Sequence, residues 1–284
     1  MTIPNRREDL VFITNGIPSN FINYAQSITN DLSDSTSTTT TTAAATGGID
    51  TSTSIPLTTS VPHFGVLKVG GNPISNKDIS PSTIIHGKHA DKLQNILESN
   101  NIRVEISSSV MDVDAAAIRK LIWVSAMWLL CHDDNTGQNC SSSNHNDAKE
   151  EYKSRNVPMD VNSVHKFKED ELRILVANEL YPAALALLEQ YHDNSLESVH
   201  GVHDNNDERI RHNIEDVMGT INEVMDYLVS YSSSMPGAIP NKELAIDEIE
   251  QRNGILLSTS VSQPLHEALI QRVTKMDKLL FSQH

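Results

Sequence analysis

An uncharged run of eleven residues, 121–131, is the sequence feature that most constrains the fold. It follows the basic pair Arg119–Lys120, and its apolar residues recur with helical spacing on one face, while the opposite face is nearly as apolar. A helix that is apolar all round is buried on most sides, and a run that crosses a bilayer needs about 20 residues. The sequence therefore predicts the central helix of a globular core, with Asp114 as a candidate cap for its first turn.

Lys120 directly precedes the uncharged run of this helix and is the first candidate for a functional residue. The alternative is that its long side chain simply extends from the helix end to water.

Charge and composition narrow the class of protein. The formal net charge is −15, and no cluster of Lys and Arg offsets it, so we expect no nucleic-acid surface. The first ten residues are polar and charged, unlike a secretory signal, and we expect no membrane association. Two cysteines do not make a disulfide framework, and an apolar site for Cys131 is typical of a reducing compartment, so we expect a cytoplasmic protein.

Three polar tracts interrupt the chain. Residues 33–60 are almost entirely Ser, Thr, Ala and Gly, a composition that buries too little apolar surface to order, so we expect a disordered insertion in a loop. Residues 132–161 and 192–207 are predicted to be further polar loops. The first of these contains His132, Cys140 and His145, but their irregular spacing does not match a compact zinc site, so we expect no metal.

The order of the predicted elements indicates a fold that is α+β and mostly α. Residues 10–14, 63–71, 82–87 and 102–106 have strand character, and residues 90–99 form an amphipathic helix. Helical periodicity dominates afterwards, over residues 169–190 with a kink at Pro182, then 208–231, 241–257 and 264–281. We therefore predict an α/β portion in residues 1–110 and an all-α domain in residues 111–284.

Four short motifs, taken in order, resemble the ketopantoate reductase (2-dehydropantoate 2-reductase) family. The C-terminal signature of that family is Ser-Met, about a dozen residues, and then Thr-Glu-(Ile/Val)-Asp-x-x-Asn-Gly. The matching segments here are Ser233-Ser234-Met235 with Asp247-Glu248-Ile249-Glu250-Gln251-Arg252-Asn253-Gly254, Arg119-Lys120-Leu121, the strand ending in Asn15-Gly16, and the β-α-β pattern of residues 64–71 and 84–106.

The resemblance implies a truncated Rossmann-like portion followed by a helical domain like that of 6-phosphogluconate dehydrogenase. It implies NADPH-dependent reduction of 2-dehydropantoate, or another small 2-oxo acid, with Lys120 as the general acid toward the keto oxygen. It also implies that Glu248 binds substrate and holds a polar network, while Asn15 and Ser234 contact substrate or cofactor. An ammonium group is suited to stabilise and protonate the oxyanion that hydride addition creates.

Two departures from the family pattern qualify these expectations. The family begins with a strand and a glycine-rich phosphate loop, whereas this sequence contains neither G-x-G-x-x-G nor G-x-x-x-x-G-K-[ST]. NADP(H) is therefore implied by resemblance only, and we expect this chain alone to bind NADPH negligibly and to be inactive. In addition, Val124 and Trp128 occupy positions where the family usually has asparagines.

Each of these functional interpretations has an alternative in which the residues are purely structural. Glu248 could be a solvated helix carboxylate paired with Arg252 four residues later. The whole chain could be a non-catalytic helical interaction or dimerisation protein, for example a homodimer, that derives from the same family.

Overall fold

The computed structural model describes residues 11–13, 58–63, 78–133, 158–197 and 214–275. Over these residues the protein is mostly helical and contains one small sheet, so the expectation of an α+β, mostly-α chain is confirmed. The described strands all precede residue 107, and the described part of residues 108–275 contains helices and no strand. None of the helices in the described segments is both long and apolar enough to span a membrane.

The sheet has four strands in the order in which they occur along the chain. The strands are β1 (Val11–Ile13), β2 (Thr58–Val61), β3 (Thr83–His86) and β4 (Val104–Ile106). β1 and β2 are parallel, β2 and β3 are antiparallel, and β3 and β4 are parallel. A parallel pair needs a crossover connection, and helix α1 (Ala90–Ser99) supplies it between β3 and β4.

Strand β2 corrects the prediction of a disordered insertion over residues 33–60. Thr58, Thr59 and Ser60 form most of this strand and are fully or almost fully buried; residues 33–57 lie outside the described segments. Threonine is a good strand former because its branched Cβ fits a pleated surface. Composition alone misjudged these residues, because the pairing with β1 and β3 satisfies their backbone.

Helices cover both faces of the sheet. Ile85 packs with Leu93 and Leu97 of α1 on one face. On the other face, Ile84 and Val61 pack against the first turns of α2 (Val110–His132), through small residues that allow a close approach: Val113, Ala116 and Ala117. Because neighbouring strand residues point to opposite faces of the sheet, Ile84 and Ile85 pack against different helices.

Helix α2 is the predicted central helix, and it runs from the sheet into the helical domain. Its first turn is capped by Ser109, whose side chain accepts a hydrogen bond from the Met111 amide at 3.1 Å, so the expectation that Asp114 is the cap is wrong. Asp114 instead lies fully buried inside the helix, with one carboxylate oxygen 3.7 Å from His192 Nε2.

The helical domain surrounds the remainder of α2. Its helices are α3 (Val161–Phe167), α4 (Glu169–Leu175), α5 (Tyr181–Glu197), α6 (Ile221–Ser233), α7 (Lys242–Asp247), α8 (Ile255–Leu257) and α9 (Pro264–Thr274), with a further helical stretch at residues 214–218. Two π-helical segments, Val176–Leu180 and Glu250–Gly254, interrupt it. Over the described residues the predicted helices are therefore correct in place but too continuous. Helix α5 runs to Glu197, so the prediction of a polar loop over residues 192–207 is wrong at residues 192–197.

Local chemistry explains the interruptions. Gly219 has a φ of +75°, a conformation that glycine adopts readily, and Thr220 and Glu223 then form a capping box that restarts the chain as α6. The π-helical segment Val176–Leu180 ends directly before Tyr181–Pro182; proline lacks the N–H that an α-helix requires there. Lys275 ends α9 in a left-handed conformation, so this helix stops well before residue 281.

A buried hydrogen-bond network joins α2 to the C-terminal part of the helical domain. Trp128 Nε1 donates to Asn253 Oδ1 at 2.9 Å, and Asn253 Nδ2 donates to the Ser125 carbonyl at 3.2 Å and to His266 Nε2 at 2.7 Å. Burial lowers the pKa of His266 to about 3, so its ring is neutral and Nδ1 donates to Gln263 Oε1 at 2.9 Å. Asn253 therefore uses both of its amide hydrogens and its oxygen within the core.

Replacement of Asn253 should test this network. Asn253→Ala leaves the Trp128 N–H and His266 Nε2 buried without partners, and each such group costs about 1–3 kcal/mol. We expect the free energy of unfolding, measured by urea denaturation, to fall by about 3 kcal/mol or more. Asn222→Ala, on the exposed surface of α6, is the matched control and should change it by about 0.5 kcal/mol or less. Equal losses for the two variants would contradict the assigned role.

Candidate functional site

Lys120 lies where the sheet, α2 and the helical domain meet. Helix α2 packs on β2 through Ala116 and Ala117, so the side chain three residues later emerges just beyond the end of that strand. Its amine donates a hydrogen bond to the carbonyl of Pro62, the residue that directly follows β2. The side chain is only 8% exposed, so it does not simply extend to water.

Burial and a neighbouring cation both weaken the charge of this amine. Removal from water is the larger cause and the charge of Arg252 is the second, and together they lower the pKa of Lys120 to about 8. At neutral pH the group is therefore still mostly protonated, but it gives up its proton far more readily than an ordinary lysine. A group with a pKa near the working pH is suited to general acid catalysis.

Glu248 forms its ion pair with Arg252, through a short contact between one carboxylate oxygen and the guanidinium. Glu248 lies at the C-terminal end of α7, and its side chain is 40% exposed. The pair is therefore the solvated i, i+4 contact that the sequence analysis gave as the structural alternative to a substrate-binding role. Because Arg252 also acts on the charge of Lys120, this arginine connects the two predicted catalytic residues. A direct approach of Glu248 to Lys120 stays a prediction.

Of the two residues predicted to contact substrate or cofactor, the structure describes Ser234 but not Asn15. Ser234 is buried at the C-terminal end of α6, where its hydroxyl donates to the Tyr231 carbonyl at 2.7 Å. In this state the hydroxyl therefore stabilises its own helix end. Asn15 lies outside the described residues, as do Cys140 and His145; His132 has its Nε2 2.7 Å from the Pro240 carbonyl.

Sequence reasoning missed a cluster of aromatic and basic side chains beside Lys120, which we call the His63 cluster. Its members are His63, Arg119, Trp123, Tyr227 and Tyr231. His63 Nε2 lies 2.8 Å from the Tyr227 hydroxyl, and the His63 ring meets both tyrosine rings edge-on, with centroids 5.6 and 5.5 Å away. The sequence pattern that could have indicated this cluster is the i, i+4 spacing of Arg119 with Trp123 on α2 and of Tyr227 with Tyr231 on α6.

The protonation states in this cluster follow from burial. Removal from water, followed by the charge of Lys120, lowers the pKa of His63 to about 3, and burial raises the pKa of Tyr227 well above its ordinary value. The histidine is therefore neutral and the phenol keeps its proton, while a backbone hydrogen bond at Ser82 acts on the same ring in the opposite direction.

Several buried polar atoms around this junction have no hydrogen-bond partner in the described structure. They are His63 Nδ1, Arg119 Nε, Thr59 Oγ1 and Ser60 Oγ. Buried polar atoms are normally satisfied, and unsatisfied ones concentrate where a ligand or water belongs.

An open groove of about 630 Å³ lies between residues 78–81 and α6, and Tyr227 of the His63 cluster forms part of its lining. Acidic side chains dominate its polar lining, with Asp78, Glu223 and Asp226 against the single cation Arg103. This excess of acidic side chains disfavours an anionic substrate.

Comparison with known proteins adds no family assignment. No protein-family model matches the chain, and no curated protein sequence and no solved structure shows significant similarity to it.

Titration of Lys120 provides a direct test of this electrostatic environment. We expect the Lys120 side-chain resonance, followed by NMR and assigned by its loss in Lys120→Met, to titrate with a midpoint near pH 8. Arg252→Gln removes the neighbouring charge and should raise that midpoint. Arg173→Gln, an exposed arginine on α4 bonded to Asn222, is the control and should leave it unchanged. A midpoint near 10.5 in the unaltered protein would mean that the amine is solvated.

Proposed function

We propose that this chain provides the substrate-binding and proton-donating part of a 2-oxo acid reductase of the ketopantoate reductase type. The observation that supports this proposal best is the Lys120 amine, which is buried at the junction of the sheet and the helical domain and is still largely protonated at neutral pH. The order of the short sequence motifs supports it independently.

The hydrogen bond from Lys120 to the Pro62 carbonyl suggests how the substrate is held. A keto oxygen has the same acceptor geometry as a peptide carbonyl and replaces it on the amine. When the keto carbon is reduced, negative charge develops on that oxygen, and the nearby ammonium stabilises the charge and then donates its proton. Arg252 contributes a second positive charge in the same region.

The proposal for this chain does not include the binding of the hydride donor. The family resemblance implies NADP(H), but this sequence has no glycine-rich loop leading into a helix, which is the arrangement that binds a pyrophosphate. The residues present do not fit that cofactor, so the proposal for this chain is limited to binding and proton donation. Cys131 is a buried free thiol, which supports a reducing, cytoplasmic location for the protein.

A second candidate function is a non-catalytic interaction or dimerisation domain. It is favoured by Trp128, which is buried at a position where the family has asparagine and donates its indole N–H to Asn253 within the core. Exposed apolar residues on the helical domain, Ile174, Ile239 and Leu244, also agree with a contact surface. In this alternative Lys120 stabilises the junction and binds no substrate.

Ligand titration without cofactor distinguishes the two functions. We expect 2-dehydropantoate to bind the chain in isothermal titration, and Lys120→Met to weaken that binding about tenfold or more, because a charge-assisted hydrogen bond is lost. Lys92→Ala, an exposed lysine on α1, is the matched control and should bind normally.

Two results would count against the reductase proposal. One is the absence of any 2-oxo acid binding by a folded chain, and the other is equal binding by the Lys120→Met variant. If sedimentation then shows a dimer that Leu244→Glu dissociates, the interaction function is supported instead.

A further inference from the structure

We propose that the groove between residues 78–81 and α6 binds a basic segment of a partner polypeptide, whose cations lie beside Glu223 and Asp226. This inference goes beyond the proposed reductase function, because it involves neither Lys120 nor a small acid. The groove has a volume of about 630 Å³ and is open. An open groove suits an extended polypeptide, whereas a small molecule is usually enclosed on most sides by its site.

The walls of the groove belong to regular elements of the fold. Residues 78–81 lead into β3, and the carbonyl of Ile79 accepts a hydrogen bond from the Ser230 hydroxyl on α6. Arg103 directly precedes β4, and its carbonyl accepts from the Thr83 amide at 2.8 Å. The groove therefore lies where the parallel strands β3 and β4 begin, and its walls are joined to each other without a ligand.

One side of α6 supplies the acidic wall. The lining residues Glu223, Asp226 and Ser230 are three and four positions apart, so they lie on the same side of the helix. Glu223 and Asp226 are exposed, and within the described part of the chain no cation forms an ion pair with Asp226. Hydrogen bonds from the Thr220 amide and hydroxyl lower the pKa of Glu223, so this carboxylate is charged at neutral pH.

The charges of the groove favour a cationic occupant. The carboxylates of Asp78, Glu223 and Asp226 line it, and Arg103 is the one cation in its lining. The whole chain has a formal net charge of −15, so its long-range field attracts a ligand of the same positive sign. The same charge disfavours a second copy of this chain as the occupant, because the two copies repel each other.

Apolar side chains in the groove add a requirement beyond charge. Ile79 and Val229 line it and are 41% and 42% exposed, and Pro81 and Tyr227 belong to the same lining. An aliphatic side chain of the ligand that covers this surface removes it from water, which stabilises the complex. The occupant is therefore a polypeptide segment rich in Lys and Arg that also carries an aliphatic residue.

Fluorescence anisotropy with three labelled peptides tests the apolar part of this proposal on the full chain. The probe is Lys-Arg-Leu-Lys-Arg, and the comparison peptides are Lys-Arg-Ser-Lys-Arg, which lacks the aliphatic residue, and Glu-Asp-Leu-Glu-Asp, which has the opposite charge. We expect the serine peptide to bind about fivefold more weakly than the probe and the acidic peptide not to bind. Ile79→Ser should reduce the difference between leucine and serine peptides, and Ile96→Ser, also an exposed isoleucine, should preserve it.

Matched charge variants locate the bound peptide. We expect Asp226→Asn to weaken binding of the probe about threefold, and Glu223→Gln combined with it about tenfold, because exposed ion pairs contribute modestly. Glutamine keeps the capping box at the start of α6. Asp247→Asn, an exposed aspartate on α7, is the control and should bind normally. Arg103→Gln removes a repelling cation and should tighten binding more than Arg173→Gln does; a purely structural Arg103 predicts no such gain.

Several outcomes would overturn the assignment. Equal weakening by Asp226→Asn and Asp247→Asn means that the peptide responds to the overall charge of the chain and not to the groove. Equal binding of the leucine and serine peptides removes the apolar contact. Displacement of the probe by equimolar spermine assigns the groove to a polyamine, and a dimer in sedimentation that Asp226→Asn alters assigns it to a second copy. Each replaced side chain is exposed, and thermal unfolding verifies that the variants fold.

Discussion

The hydrogen bonds of Asn253 are the interaction on which the arrangement of the site depends. They hold Trp128 and Ser125, both on α2, against the π-helical segment Glu250–Gly254 and the start of α9. The same segment carries Arg252, which pairs with Glu248 and acts on Lys120. This contact therefore holds the segment that carries Arg252 against the helix that carries Lys120. Asn253, one of the residues that carry the family resemblance, thus has a structural explanation in this chain.

A second buried lysine shows what is unusual about Lys120. Lys168 donates to the carbonyls of Leu130 and Asp133 at 3.0 and 2.7 Å, and its amine lies 3.8 Å from the Asp133 carboxylate, which also binds Arg272. It therefore holds the C-terminal end of α2, where cations are favourable, with an opposite charge beside it. Near Lys120, by contrast, a second cation, Arg252, lowers the pKa of the amine. Two buried amines at the two halves of one helix thus have different electrostatic surroundings, and Lys168 has those of a structural residue.

The sequence predicted the parts of the fold that hydrophobic periodicity controls. The central helix, the strand–helix–strand unit around α1 and the all-helical C-terminal part are confirmed, since each has a regular apolar pattern. The break at Gly219 and the π-helical segment Glu250–Gly254 were not predicted, because they interrupt helices without interrupting their apolar faces. The kink predicted at Pro182 has a counterpart in the π-helical segment Val176–Leu180, which ends directly before Tyr181. The burial of Thr58–Ser60 was missed because it depends on pairing with β3, which is distant along the chain.

The site was less predictable than the fold, for a physical reason. Motif spacing could indicate Lys120, Glu248 and Ser234, and the i, i+4 spacing of Glu248 and Arg252 offered their pairing as an alternative. Neither could indicate that the Ser234 hydroxyl bonds its own helix end. His63 belongs to no helical or strand pattern, and it meets Tyr227 across 164 positions of sequence. Contacts of that kind arise only when the sheet and the helical domain pack together.

Arg252 gives Glu248 an indirect influence on Lys120. The guanidinium lowers the pKa of the amine because two positive charges in a poorly solvated region repel each other. Glu248 partly neutralises that guanidinium, so it limits the repulsion that the amine experiences. Its own side chain is 40% exposed, so water and salt screen the pair more than they screen Lys120. The carboxylate therefore acts on the acidity of the lysine through the arginine, and the strength of this effect depends on ionic strength.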